Sequence, residues 1–313
     1  MSTSLAEATV AAPARLIGLG YIVLPVADAA AAGAFYSRAL GLPAPASDVL
    51  PSCGRHAALT LPSGQRIVLA KMPGSRDVRE TGVHHGLRVA PDRRDAIVEA
   101  LTKDGIAVHR YREDRAAESD DNFYFLDRDG NRIQLVASAS TSGAKGVAAI
   151  DHTAVLNFDM LWAEQFYGKV LGLNAESRYG VRTSDHSRAR KWAAGQEEMA
   201  PGTRRLDKLY MTMGGQNEVA RANMQAYYQL GDGVLGVYLA TQHYQEPPEE
   251  QLVGLPRTAF AISRQGLEQL AERLTAARWA FAGPVAHPVG SPIAASLHFK
   301  DASSNFLEAY APR

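Results

Sequence analysis

Residues 21–26 (Tyr-Ile-Val-Leu-Pro-Val) and 152–158 (His-Thr-Ala-Val-Leu-Asn-Phe) are short, mostly apolar runs rich in β-branched and aromatic residues. Runs of this kind predict strands, because β-branched and aromatic side chains pack well on a pleated, buried surface. Each strand leads into a run with aromatic and aliphatic residues at helical spacing, residues 29–40 and 160–171, that ends in Leu-Gly-Leu. Short β runs and turns follow, and the order then starts again. The match is position by position: His152 answers Tyr21, Phe166 answers Phe35 and Gly172 answers Gly41, each 131 residues on (152−21, 166−35, 172−41). Further along, Arg257-Thr-Ala-Phe-Ala-Ile answers His84-His-Gly-Leu-Arg-Val at a distance of 173 (257−84). The difference of 42 residues (173−131) places an insertion between Leu173 and Arg257. Self-similarity at these distances predicts four copies of a βαβββ unit, with the insertion in the third. Within about residues 174–231, residues 208–213 read as a strand and residues 182–201 as an exposed excursion, and residues 233–240 form the strand that follows.

The last strand of the second unit is introduced by Asp127, Asp129, Gly130 and Asn131, followed by Ile133. An Asp-x-Asp-Gly-Asn-x-Ile turn in a chain of βαβββ units resembles the vicinal oxygen chelate superfamily, which includes glyoxalase I, extradiol ring-cleaving dioxygenases, epimerases and antibiotic-binding resistance proteins. The resemblance covers about residues 15–312. It implies an α+β fold of four βαβββ modules in two tandem domains, each pair of modules forming a cup-shaped open barrel. On that reading residues 1–14 are an N-terminal arm and residues 15–137 a structural glyoxalase-like domain. Residues 138–145 are a Ser/Thr/Gly/Ala linker, and residues 146–313 are the glyoxalase-like domain that carries the site. One fold of this kind hosts several chemistries, so the reaction has to be argued from side chains.

In the superfamily, metal ligands project into the cup from the first and last strands of a unit. Carried across the repeats, those positions are Tyr21, His84 and Gln134 in the first half and His152, Arg257 and Glu308 in the second, while Val68 and Val237 offer no donor atom. The second set resembles the facial triad of extradiol dioxygenases, two histidines and a glutamate around Fe(II) with positions open for catecholate and dioxygen. The resemblance makes His152 and Glu308 metal ligands. Arg257 departs from it, since a guanidinium stays protonated and has no lone pair. His298 and His186 are the candidates for a third ligand or a proton-transfer group around Fe(II) or another divalent ion, with Arg257 steering an anionic substrate. The leading expectation is therefore an extradiol-dioxygenase-like enzyme acting on a small oxygenated, aromatic or anionic substrate in the C-terminal cup. Two alternatives stand beside it. One is a metal-independent or differently metallated isomerase, lyase or epimerase, with His152 as base and Arg257 stabilising an enolate. The other is a protein that sequesters a small molecule without turnover. Tyr210, Met211, Met213, Tyr227 and Tyr228 are the residues expected to wall the cup.

Charge and composition narrow the partners. With 33 basic and 33 acidic residues and 46% hydrophobic content, nothing points to nucleic acid or a membrane surface, and a homo-oligomer is compatible. No apolar run approaches the roughly 20 residues that cross a bilayer. Residues 1–14 lack the basic segment and apolar core of a secretion signal. The single cysteine, Cys53, excludes an intrachain disulfide, which suits a reducing cytoplasm. Gly18-x-Gly20 precedes a strand instead of opening a helix and is no dinucleotide loop. His84 and His85 sit together on a strand, so one faces inward and the other outward, and the expected role is structural.

Overall fold

Each helix starts and stops where the sequence supplies the chemistry for it. In the computed structural model, which describes residues 15–47, 49–78, 81, 83–111, 122–141, 143–179, 225–240 and 246–313, Asp28 caps helix α1 (Ala29–Ala39) by accepting from the amides of Ala30 and Ala31. The helix stops at Leu40 and the chain turns at Gly41 with φ 65°; its counterpart in the repeat, Gly172, has φ 74°, a region that side chains resist.

Four βαβββ units follow one another. Unit one is β1 (Leu16–Pro25), α1, β2 (Ala46–Ser47), β3 (His56–Thr60) and β4 (Arg66–Ala70). Unit two is β5 (His85–Val89), α2 (Pro91–Lys103), β6 (Val108–Tyr111), β7 (Asn122–Leu126) and β8 (Arg132–Ala137). Unit three is β9 (Val147–Asn157), α3 (Met160–Glu164) continued by a π-helical segment (Gln165–Val170), β10 (Ala175–Tyr179), β11 (Gln225–Leu230) and β12 (Gly233–Leu239). Unit four is β13 (Arg257–Ile262), α4 (Arg264–Ala276), β14 (Phe281–Ala286), β15 (Ile293–Lys300) and β16 (Phe306–Pro312). The strand expected at residues 208–213 and the excursion at 182–201 lie outside the described residues.

The units pair in an order that the repeat does not dictate. One sheet runs β14-β15-β16-β13-β1-β4-β3-β2 and the other β10-β11-β12-β9-β5-β8-β7-β6. Unit one thus joins unit four through the antiparallel pair β1 and β13, and unit two joins unit three through β5 and β9. This corrects the expectation that the C-terminal half builds a cup by itself. The physical reason is that all four units present the same first-strand edge, so either pairing satisfies the backbone ladder.

The two faces of each sheet are chemically distinct. Along β1, Ile22 and Leu24 join the large core with Phe35, Tyr36, Leu267 and Leu270 on the helix side. Tyr21 and Val23 form a separate cluster with Cys53, Val68, Ala259 and Tyr310, so apolar side chains fill the cup of units one and four.

Buried carboxylates staple consecutive units. Asp127 accepts from Tyr36 Oη at 2.8 Å, from the amides of Asp129 and Asn131 and from Asn131 Nδ2. Asp301 repeats this with Tyr167 Oη at 2.8 Å, the amides of Ser303 and Asn305, and Asn305 Nδ2. The Asp301 turn keeps the register of its counterpart although Ser304, at φ 63°, stands where the earlier turn has Gly130.

On its hidden face β5 carries His85, which bonds Thr153 Oγ1 at 2.8 Å; that hydroxyl lies 3.5 Å from Thr258 Oγ1 of the other sheet. Burial, with the neighbouring His84 and His152, pushes the pKa of His85 from 6.5 to about 3, and burial pushes His298 to about 4. Both are neutral when folded and take up a proton more readily when unfolded. The stability they contribute is therefore present above the unfolded value of 6.5 and is lost as pH falls toward 4 and then 3. We expect the unfolding free energy from urea denaturation to fall as pH drops from 6.5 to about pH 5, with a slope approaching about 1.4 kcal/mol per pH unit for each imidazole. A flat profile over that range would show that these histidines are hydrated.

Candidate functional site

Two cups result, and their contents differ. In the cup of units two and three, residues paired across neighbouring strands share a face. Gly86 pairs with His152 on one side and Gln134 on the other, and Gln134 pairs with Tyr124. Tyr227 and Tyr238 flank Gly236 on the far side. His84, two residues before Gly86, projects among these side chains. Its ring lies 5.1 Å from His152 at 80°, 5.8 Å from Tyr124 edge-on and 5.9 Å from Tyr238 in a near-parallel stack. Tyr227 packs on Tyr238 at 5.7 Å. The rings of His84, Tyr124, Tyr227 and Tyr238 are half-buried, and the His152 side chain is 14% exposed. Imidazoles and phenols thus converge at a surface that solvent reaches.

The ring of His152 lies across Gly86, where a Cβ would stand 2.3 Å from its Cε1. We expect Gly86→Ala to push the imidazole out of place with little change in stability, because a ring at the end of a side chain can rotate away. Loss of ligand binding at an unchanged melting temperature checks this. His152 Nδ1 is 2.8 Å from Asp151 Oδ2, and Arg88 Nε is 2.5 Å from Asp151 Oδ1. Burial alone would raise the Asp151 carboxyl; the bonds from His152 and Arg88 outweigh it and hold the group below its usual range.

The cup of units one and four is sealed. Arg257 Nε lies 3.0 Å from Glu308 Oε2, with both side chains 0% exposed, and His298 Nδ1 is 3.7 Å from the same oxygen. Arg257 Nη2 also donates to Cys53 Sγ at 2.9 Å and to Ser52 Oγ at 3.3 Å. His298 continues to Ser296 at 3.2 Å, and Ser296 to His287 at 2.8 Å. Burial and the nearby Glu308 raise the Tyr21 phenol well above its ordinary value, and burial raises the Cys53 thiol although Arg257 opposes it.

These distances correct the expected site. His152 stands in one cup, and Arg257, His298 and Glu308 stand in the other, because β9 pairs with unit two and β13 with unit one. The expected triad is not assembled, and Arg257, enclosed by Glu308, Cys53 and Ser52, does not reach a substrate entering the other cup. His186, Tyr210, Met211 and Met213 lie outside the described residues. Tyr227 lies on the open face, whereas Tyr228 is buried against Tyr167 at 5.5 Å. The repeat by itself does not single out Arg88, Tyr124, Asp151 or Tyr238, and the sequence expectation for His84 is a structural role. The signal available was the shared alignment of His84, Gln134 and His152 with ligand positions, had units two and three been read as one cup.

Residues 18–135 match the family model of the Glyoxalase/Bleomycin resistance protein/Dioxygenase superfamily. Residues 18–135 belong to this superfamily, and the whole chain has the vicinal oxygen chelate fold. No curated protein matches the sequence. Among solved structures, glyoxalase I from Zea mays is 14% identical with a TM-score of 0.57, over 95% of this chain and 92% of that one. A Bacillus subtilis protein assigned as a dioxygenase is 11% identical with a TM-score of 0.62, over 95% of this chain and 86% of that one. At these identities the likeness is one of fold.

Vicinal oxygen chelate proteins commonly use a divalent metal, and the two cups differ in how well their residues fit one. The cup of units one and four does not fit: the guanidinium of Arg257 neutralises Glu308, and Tyr21 holds its proton. The cup of units two and three fits better. Two imidazoles on one ion at bond lengths of about 2.1 Å place their ring centroids about 4.5–5.3 Å apart. The observed 5.1 Å falls inside that interval. Among the described residues no cluster of three His, Cys, Asp or Glu side chains completes the set; Gln134 shares that face through its pairing with Gly86.

Proposed function

We propose that the chain is an enzyme for a small oxygenated substrate, working in the cup of units two and three, with His152 as the base that removes a proton next to a carbonyl or from a hydroxyl. The observation that carries this reading is the pair of imidazoles, His84 and His152, facing each other at 5.1 Å on a solvent-reached, tyrosine-lined face. Tyr124, Tyr227 and Tyr238 suit a planar, aromatic or enolised ligand, which stacks on rings of this kind. Gln134 supplies an amide to hold a substrate oxygen. If a divalent ion were held here by His84, His152 and Gln134 it would polarise a substrate oxygen as a Lewis acid, and His152 Nε2 would then serve as a ligand instead of as the base.

Isomerase, lyase or epimerase chemistry is favoured over ferrous ring cleavage, because the carboxylate expected to complete an iron triad, Glu308, is sealed in the other cup and paired with Arg257. Ring cleavage remains the second reading, since two imidazoles at this spacing match part of a facial triad.

The test is a panel of hydroxy ketones, catechols and hydroquinones, with and without added divalent metal, followed for solvent deuterium exchange and for oxygen uptake. The expected result is deuterium exchange that disappears in His152→Ala. Oxygen uptake with Fe(II) would favour the second reading, and saturable binding without exchange or uptake would overturn both in favour of sequestration.

A further inference from the structure

We propose that Asp151, locked in place by Arg88, is a positioning residue that fixes the tautomer of His152 so that the bare Nε2 atom is presented to the cup of units two and three. The inference rests on the reading of His152 as the working imidazole. Asp151 and His152 are neighbours, and neighbours on a regular strand point to opposite faces. The β5 and β9 ladder breaks at this point: Gly86 pairs with His152 and Leu87 with Ile150, which makes Asp151 the extra residue of a bulge. The bulge turns the carboxylate toward the imidazole beside it, with Oδ2 at 2.8 Å from Nδ1.

An ionised carboxylate only accepts, so Nδ1 carries the ring proton and Nε2 is left with the lone pair. Arg88 prevents the carboxylate from turning. Its Nε engages Asp151 Oδ1 at 2.5 Å, and its Nη2 is tied to the carbonyl of Asp232. The fold itself does not require this arrangement. The same bulge occurs in the sealed cup, where Leu19 pairs with Phe260 and Tyr21 with Ala259, and its extra residue is Gly20. Gly20 and Asp151 occupy equivalent positions (151−20 = 131), and the equivalent of Arg88 is Ala261 (88+173). The acid and its guanidinium clamp therefore belong to the open cup alone.

Nitrogen-15 NMR of the histidine side chains, on the full chain at a pH where imidazoles are neutral, tests the inference without needing a substrate. The His152 signal is assigned by its loss in His152→Ala, and the His85 signal, bonded to Thr153, reports an intact fold. Wild-type His152 should carry its proton on Nδ1. In Asp151→Asn, Arg88 still demands an oxygen, so the amide NH2 faces His152, donates to Nδ1 and moves the ring proton to Nε2. Adding Arg88→Met frees the amide to turn over, and the Nδ1-protonated form should return. Once a substrate is in hand, turnover should fall about 10–100-fold in Asp151→Asn and recover in part in the double variant. An Asp151→Asn protein that keeps the proton on Nδ1, or a double variant that keeps it on Nε2, overturns the inference. If the tautomers switch as stated while His152→Ala leaves turnover intact, the functional reading fails and the geometric inference stands.

Discussion

Replacing Glu308 with alanine should destabilise the protein by about 3–5 kcal/mol, because it leaves the guanidinium of Arg257 charged and unpaired in a site that water does not reach. Arg257 and Glu308 are both 0% exposed, and Tyr21, Cys53 and His298 close the space around them. The buried guanidinium retains its proton, with burial opposing the charge and Glu308, Cys53 and Tyr21 favouring it, so its pKa lies above the ordinary arginine value. The double replacement Arg257→Met with Glu308→Leu removes both charges and keeps similar volume. It should be close to neutral or stabilising, since paired apolar side chains avoid the desolvation of two ions. Urea denaturation of the two variants decides the matter. Equal, small losses in both would mean that the pair is hydrated and that the cup of units one and four opens to solvent.

His152→Ala should lower turnover by about 10²–10⁴, the usual contribution of a positioned acid or base, with little effect on stability. The stability expectation follows from its position: the side chain is 14% exposed and packs over Gly86 at the open face, outside the main core. Folding should survive, and the loss should appear in the chemical step. Comparable melting temperatures with turnover reduced less than tenfold would remove His152 from the chemistry.

Much of the architecture could be read from the chain. The spacing of 131 residues between Tyr21 and His152 identifies two strands of one kind, and both occupy the first position of a βαβββ unit. The Asp-x-Asp-Gly-Asn turn was visible as well, and its role is physical: Asp127 gathers two amides, an asparagine and a tyrosine hydroxyl at the junction of units one and two. The Asp301 turn has Ala302-Ser303-Ser304 in place of the glycine-containing segment and keeps the same register, because Asp301 captures the amides of Ser303 and Asn305 as Asp127 captures those of Asp129 and Asn131.

What the sequence could not convey was which edges meet. A first strand with alternating apolar residues bonds equally well to either possible partner, and nothing in His152, Arg257 or Glu308 records that β9 faces β5 while β13 faces β1. Consecutive-unit pairing places His152 beside Glu308; the observed pairing places it beside His84. The Asp151 bulge was hidden for a similar reason, since strict alternation sends Asp151 away from His152 and only the missing partner in the ladder turns it back.

The central claim is that chemistry belongs to the open cup of units two and three and that the sealed cup is structural. It is tested most directly by measuring turnover of one substrate by His84→Ala, by His152→Ala and by the Arg257→Met and Glu308→Leu double variant, each at a temperature where it is folded. The account predicts that both histidine variants lose turnover and that the double variant retains it. Turnover retained by the histidine variants and lost by the double variant would contradict the account and return the site to Arg257 and Glu308.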